Sequence, residues 1–249
     1  MKKTIISCVL FLTAVTAFSQ TPMKTAAEAK LSASDLAVKI ADRILATTTY
    51  EFKNTKTGKT YKSVKNLPLD MNVKVACKYN NWHYTNGVTH IALMELADKT
   101  GAKKYDDYVL KNMNFVFNEG NLDFFKKQYE QAMKNEGWYG VRKLSWHMIF
   151  RGKRLDDNGP MGASLIDLQI KHPNNSFLNY INETAEHLNY GEPRLADGTI
   201  ARIWPHENTI WADDAFMAIS FLARMAKMTG DMSYINDAAN QVIKYHKYL

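Results

Sequence analysis

The chain has 249 residues, a formal net charge of +7, 46% hydrophobic residues and two cysteines. The basic excess is spread along the chain, as on a solvated surface, and marks no nucleic-acid partner. No glycine-rich phosphate loop, paired-cysteine zinc spacing or His-Glu-x-x-His sequence is present, so no cofactor or metal is expected.

Residues 1–19 read as a signal peptide. Lys2 and Lys3 form a positive start, Ile5 to Phe18 an apolar stretch, and Ala17-Phe18-Ser19 a small-residue cleavage site before Gln20. The stretch is too short for a stable membrane span, so an exported, periplasmic or secreted chain without a membrane anchor is expected. Cleavage takes the formal charge from +7 to +5 and leaves Cys77 as the remaining thiol, with no partner for an intrachain disulfide. The remaining length of about 230 residues suits one large domain or two small ones.

Ser34 or Ser32 can cap a first helix running to about Ala46. Residues 47–71 are rich in Lys, Thr and Asn and predict a long loop with a short strand pair. A helix starting near Trp82 stops at Thr100-Gly101, the glycine being the left-handed residue that follows a helix end. Tyr105, Tyr108, Val109, Met113 and Phe117 carry the face of the next helix. A short helix is predicted over Phe124 to Met133, and the aromatic stretch from Trp138 to Phe150 fits no single element.

Internal repetition organises the rest. Leu96-Ala97-x-x-Thr100-Gly101-x-x-x-Tyr105 recurs 129 residues later as Met225-Ala226-x-x-Thr229-Gly230-x-x-x-Tyr234. A weaker copy lies 72 residues after the first, with Pro173 and Phe177 in the places of Gly101 and Tyr105. Each copy is an αα-hairpin, and unevenly spaced hairpins without sheet periodicity predict an all-α ring or stack. The same offsets align Asn86 with Asn158 beside Asp157, and with Ala215 beside Asp213 and Asp214. If the hairpins pack in register, Trp82, Asn86, Asp157 and Asp213 line one mouth, where helix N-termini favour a carboxylate-bearing ligand.

Each of these residues has two readings. An Asp at a helix start is either a cap with a depressed pKa or, desolvated beside other carboxylates, a general acid. Trp82, Trp204 and Trp211 are either core residues or platforms for sugar faces. His206 either bonds backbone in its turn or faces ligand. Arg202 is either solvated or a bidentate clamp for a substrate carboxylate.

Three segments carry a resemblance: Trp82-His-Tyr-Thr-Asn86-Gly87, Leu155-Asp-Asp157-Asn-Gly-Pro-Met-Gly162, and Trp211-Ala-Asp213-Asp-Ala-Phe216-Met217 through Thr229-Gly230-Asp231. They resemble the unsaturated glucuronyl and rhamnogalacturonyl hydrolases of glycoside hydrolase families 88 and 105, over about Trp82 to the end, with the third segment closer to the rhamnogalacturonyl branch. The resemblance implies an (α/α)6 barrel, six helical hairpins in a double ring. It implies hydrolysis of oligosaccharides that a lyase has left with a 4,5-unsaturated uronic acid at the non-reducing end, by hydration of the vinyl ether. By motif position Asp213 resembles the proton donor and water activator, Asp157 the second essential carboxylate, and Trp82 and Asn86 the substrate-side pair. Arg202, His206 and Trp211 are looser substrate-binding assignments, and Asp214 is expected to matter less than Asp213. Relatives continue for several more helices, so residues 20–249 are expected to be the first two-thirds of an incomplete barrel. An ordinary inverting glycosidase on the same ring and a non-catalytic sugar-binding fragment are the competing readings.

Overall fold

The computed structural model describes residues 32–151 and 154–249, which divide between Ile40 and Ala41 into two units. The signal-peptide reading of residues 1–19 lies outside the described residues. Helix α1 (Ala33–Thr47) is capped by Ser32. The Asp35 amide donates to Ser32 Oγ at 3.1 Å and the Ser32 amide donates back to Asp35 Oδ2 at 3.2 Å. This reciprocal pair satisfies two N–H groups that a helix start would otherwise leave open.

In the second unit, β1 (Phe52–Asn54), β2 (Thr60–Tyr61) and β3 (Val73–Val75) form an antiparallel sheet in the order β2-β1-β3. The expected strand pair is therefore joined by a third strand. Phe52 stands opposite both Tyr61 and Val75, and its ring is buried against Phe115, Phe124 and Phe125 at centroid distances of 5.8–5.9 Å. The sheet is anchored by that aromatic cluster.

Three helical hairpins dominate the remainder: α2 (Tyr84–Thr100) with α3 (Lys104–Val116), α6 (Leu155–Lys171) with α7 (Asn175–Glu186), and α8 (Ala212–Thr229) with α9 (Met232–Tyr248). Gly101 and Gly230 end α2 and α8 at φ of 72° and 76°, where a side chain would be strained. Between the first two hairpins lie α4 (Glu119–Val141), broken at Gly137, and the single turn α5 (Met148–Arg151). The predicted short helix is the middle of α4.

Helix α6 packs between α2 and α8, while α3, α7 and α9 back their own partners. This is an arc of a double ring of helices, inner row α2-α6-α8. Small residues set its spacing. A Cβ on Gly87 would lie 2.4 Å from the Pro160 carbonyl carbon, and one on Gly159 would lie 2.6 Å from the Met217 carbonyl oxygen. Gly87, Gly159 and Met217 all lie within the first two turns of their helices, so the inner helices run parallel with their N-termini at one end. The hairpins pack in the register that the repeat predicts. Deeper in, Leu165, Ile166, Leu168, Phe221 and Leu222 are fully buried, each contributing roughly 1.5–3 kcal/mol by removal from water.

Candidate active site

At the N-terminal end of the inner row the polar residues of α6 and α8 meet the segment that precedes α8. A cleft of about 440 Å³ opens there, lined by Asp156, His187, Glu192, Arg202, Trp204 and Asp214 among others. Arg202 is among these lining residues. Its backbone pairs with Thr209, with N···O distances of 2.7 and 3.3 Å, closing a loop that carries Trp204 and His206. The Arg202 guanidinium lies 4.1 Å from the Trp211 ring centroid, a cation–π contact.

Three carboxylates from two helix starts converge on this guanidinium. Asp214 accepts two hydrogen bonds from it, Nε and Nη2 each at 2.6 Å. Asp156 accepts from Nη2 at 3.1 Å, and Asp213 Oδ2 lies 3.7 Å from the same nitrogen. The Asp214 side chain is wholly buried, whereas that of Asp213 is 52% exposed. Burial pushes the Asp214 carboxyl above its ordinary range, with Arg202 opposing and the charges of Asp213 and Asp156 adding.

The opposite wall comes from a π-helical turn, His187–Gly191, that prolongs α7. Glu192 follows it, and its Oε2 lies 2.8 Å from His187 Nε2. Burial, then the charge of Asp214, push the Glu192 carboxyl up to about 7.

Asp157 lies one residue round α6 from Asp156 and has a different partner. Its buried carboxylate is held by Arg151, whose guanidinium lies over Trp138. Burial raises its pKa and Arg151 opposes the rise. The structure thus gathers Arg202, Asp213 and Trp211 and adds Asp156 and Asp214, while Asp157 faces away from that set, toward α2 and α5. Trp82 is fully buried, its indole N–H donating to the Asp157 carbonyl at 2.7 Å and its ring edge-on to Tyr180 at 4.8 Å. Asn86 donates to the carbonyls of Lys78 and Asn81 at 2.9 and 2.8 Å. Trp82 ties the segment before α2 to α6, Asn86 ties α2 to that same segment, and neither is among the residues that line the cleft. His206 is exposed at the loop tip, its carbonyl accepting from Thr209 Oγ1 at 2.6 Å. As a clamp for substrate, Arg202 is already occupied by Asp214 and Asp156; the exposed Arg154, at the N-terminal edge of α6, also lines the cleft.

Sequence reasoning missed Glu192, His187, Arg151 and Asp156. The run Gly191-Glu192-Pro193 straight after a helix was the available signal for the first two. Among the described residues no cluster of three His, Cys, Asp or Glu side chains is placed to hold a metal ion, and no helix is long and apolar enough to cross a membrane.

The chain is similar in fold to two solved structures, each described as a possible member of the GH105 family. One is from Klebsiella pneumoniae, with a TM-score of 0.52 and 15% identity over 93% of this chain and 52% of that one. The other, from Salmonella enterica serovar Paratyphi A, has a TM-score of 0.51 and 14% identity over 92% of this chain and 52% of that one. This chain spans about half the length of either. No curated protein matches it. The sequence itself fits the description of Glycosyl Hydrolase Family 88 over residues 55–249. With that match covering most of the chain and the helical arc agreeing with the GH105 neighbours, the chain belongs to glycosyl hydrolase family 88.

Proposed function

We propose that the protein removes a 4,5-unsaturated uronic acid from the non-reducing end of lyase-generated oligosaccharides of rhamnogalacturonan type, by hydrating the vinyl ether. The observation that carries this reading is the division of labour at the start of α8. Asp214 is committed to Arg202, while Asp213, 3.7 Å from the guanidinium of that cleft-lining arginine, keeps a half-exposed carboxyl. A proton donor must be reachable by substrate, and Asp213 is.

In this reaction the carboxylic acid of Asp213 gives its proton to C4. The C4=C5 electron pair forms the new C4–H bond, and positive charge is shared between C5 and the ring oxygen. Asp156, which lines the cleft, supplies negative charge there, and such fixed charge acts where the transition state develops positive charge. Water adds at C5 and passes its proton to the Asp213 carboxylate, which restores the acid. The resulting hemiketal opens, and the hemiacetal formed at C1 releases the next sugar. A positioned acid contributes roughly 10²–10⁴-fold. Trp204, exposed beside the cleft, offers a face for a sugar ring. Arg154 offers the guanidinium for the uronate carboxylate that Arg202 does not have free.

The test is to incubate the protein with an unsaturated uronyl disaccharide and follow the ultraviolet absorbance of the C4=C5 chromophore. The expected result is its loss with release of the second sugar, and no loss with Asp213→Asn. Cleavage of saturated glycosides with the double bond left intact would favour an inverting glycosidase instead. Arg154→Gln should raise KM about tenfold or more with little change in kcat, since it removes binding shared by ground and transition states.

A further inference from the structure

The cleft sets two guanidiniums, Arg154 and Arg202, against three carboxylates, Asp156, Glu192 and Asp214. With all of them ionised it is net negative, before Asp213, 3.7 Å from the Arg202 guanidinium, is counted. A carboxylate-bearing sugar entering such a site meets repulsion unless one of the three carboxyl groups is neutral. The packing singles out which one. Arg202 bonds Asp214 and Asp156, and Arg194 spends both its Nη atoms on Asp237 at 3.0 and 2.8 Å. Glu192 has an imidazole as its hydrogen-bond partner, and its side chain is only 6% exposed.

The pair is built into the backbone. The π-helical turn closes through the Glu192 amide, which donates to the His187 carbonyl at 2.8 Å, and so sets residues five apart against each other. The imidazole lies over Gly191, where a Cβ would stand 2.6 Å from Nδ1. Insertions of this kind in helices recur at functional sites. Every element around Glu192 brings charge or a titratable group: Asp156 from α6, Asp214 from α8, Arg194 and Arg202 from the connecting segment, and Tyr245 from α9.

We propose that the His187–Glu192 pair is the charge-compensating proton site of this cleft. Entry of an anionic sugar drives a proton from solvent onto the pair, and that uptake lets the site hold a uronate despite its carboxylates. The inference rests on the cleft being the saccharide site, as proposed above, but not on any bond being broken there. The lift of the Glu192 carboxyl to about 7 places the exchange within the neutral range.

Titration calorimetry of the full chain with D-glucuronate, in two buffers of different ionisation enthalpy, tests it. If the bound carboxylate raises Glu192 by about one unit, roughly half a proton should be taken up per sugar near pH 8. Affinity should tighten several-fold on going to about pH 6. Glucose should bind without uptake. Glu192→Gln should bind glucuronate with no buffer dependence and no change of affinity over that range. Four results would overturn the inference: no buffer dependence in the unaltered protein, equal uptake with glucose, unchanged uptake in Glu192→Gln, or no glucuronate binding. The unaltered protein decides the first two even if the variant folds poorly. Loss of the double bond from the unsaturated disaccharide without proton uptake would remove this inference and leave the hydrolase reading standing. Uptake without turnover would do the reverse.

Discussion

Successive residues on a helix project about 100° apart, and at α8 that rotation sends Asp214 inward onto Arg202 and leaves Asp213 half-exposed. The two carboxylates therefore fail differently when altered. Asp213→Asn keeps size and polarity but has no proton to give. Its kcat should fall by roughly 10²–10⁴-fold with KM nearly unchanged. Asp214→Ala strips Arg202 of both short hydrogen bonds and leaves a largely buried cation with only Asp156 at 3.1 Å and Asp213 at 3.7 Å to compensate it. Chemical denaturation should show a loss of about 3–5 kcal/mol, and activity should fall with it. The sequence expectation that Asp214 matters less than Asp213 is met here by its two hydrogen bonds to Arg202, and comparing the two variants decides between them. The sequence shows two adjacent acids before an apolar helix but not how the helix is rotated, and either acid could have faced inward. The same one-residue ambiguity separates Asp156 from Asp157 at α6. There the Arg202 side takes Asp156 and the Arg151 side takes Asp157.

At the scale of elements, the inner helices touch backbone to backbone, and two glycines make that possible. Gly159→Ala would drive a methyl group to 2.6 Å from the Met217 carbonyl oxygen, and Gly87→Ala would place one 2.4 Å from the Pro160 carbonyl carbon. Neither obstacle is a flexible side-chain end, so the helices must part. Each change should cost roughly 2–3 kcal/mol in urea denaturation. Gly101→Ala is the comparison: its Cβ meets nothing within 4 Å, so only its φ of 72° is strained, at about 1 kcal/mol. A Gly159 variant as stable as Gly101→Ala would contradict the close approach. The hairpins were legible because Thr-Gly turns and the apolar run before them recur at fixed offsets. The sheet was half legible: strands of two or three residues are too short to display an alternation. The His187–Glu192 wall was hidden because a π-helical turn has no periodicity of its own to read.

Across the whole molecule, buried titratable groups of opposite sense share one pH window. His90 on α2 is buried against α3, with Asn112 Nδ2 3.4 Å from Nε2 and Nδ1 without a hydrogen-bond partner among the described residues. Burial holds its pKa down to about 4. The unfolded chain takes up a proton below about pH 6.5 that the fold refuses, so this group is fully compatible with folding above that pH and costs stability as pH falls toward 4. His147, its pKa also lowered by burial, acts in the same direction. Glu192 is the reverse case. Its folded pKa of about 7 lies above its ordinary 4.5, so the fold keeps a proton that the unfolded chain releases, and stability rises as pH falls through that interval. Asp157 and Asp214, raised by burial, share that sign. His90 and Glu192 each span a similar interval, worth roughly 3 kcal/mol at about 1.4 kcal/mol per unit. Those two contributions should nearly cancel each other between about pH 7 and 4.5. Glu192→Gln removes one side of the balance, so over the same range its stability should decline by roughly 3 kcal/mol relative to the unaltered protein. Parallel profiles for the two proteins would show that Glu192 titrates alike folded and unfolded. That outcome would also remove the proton store assigned to the cleft.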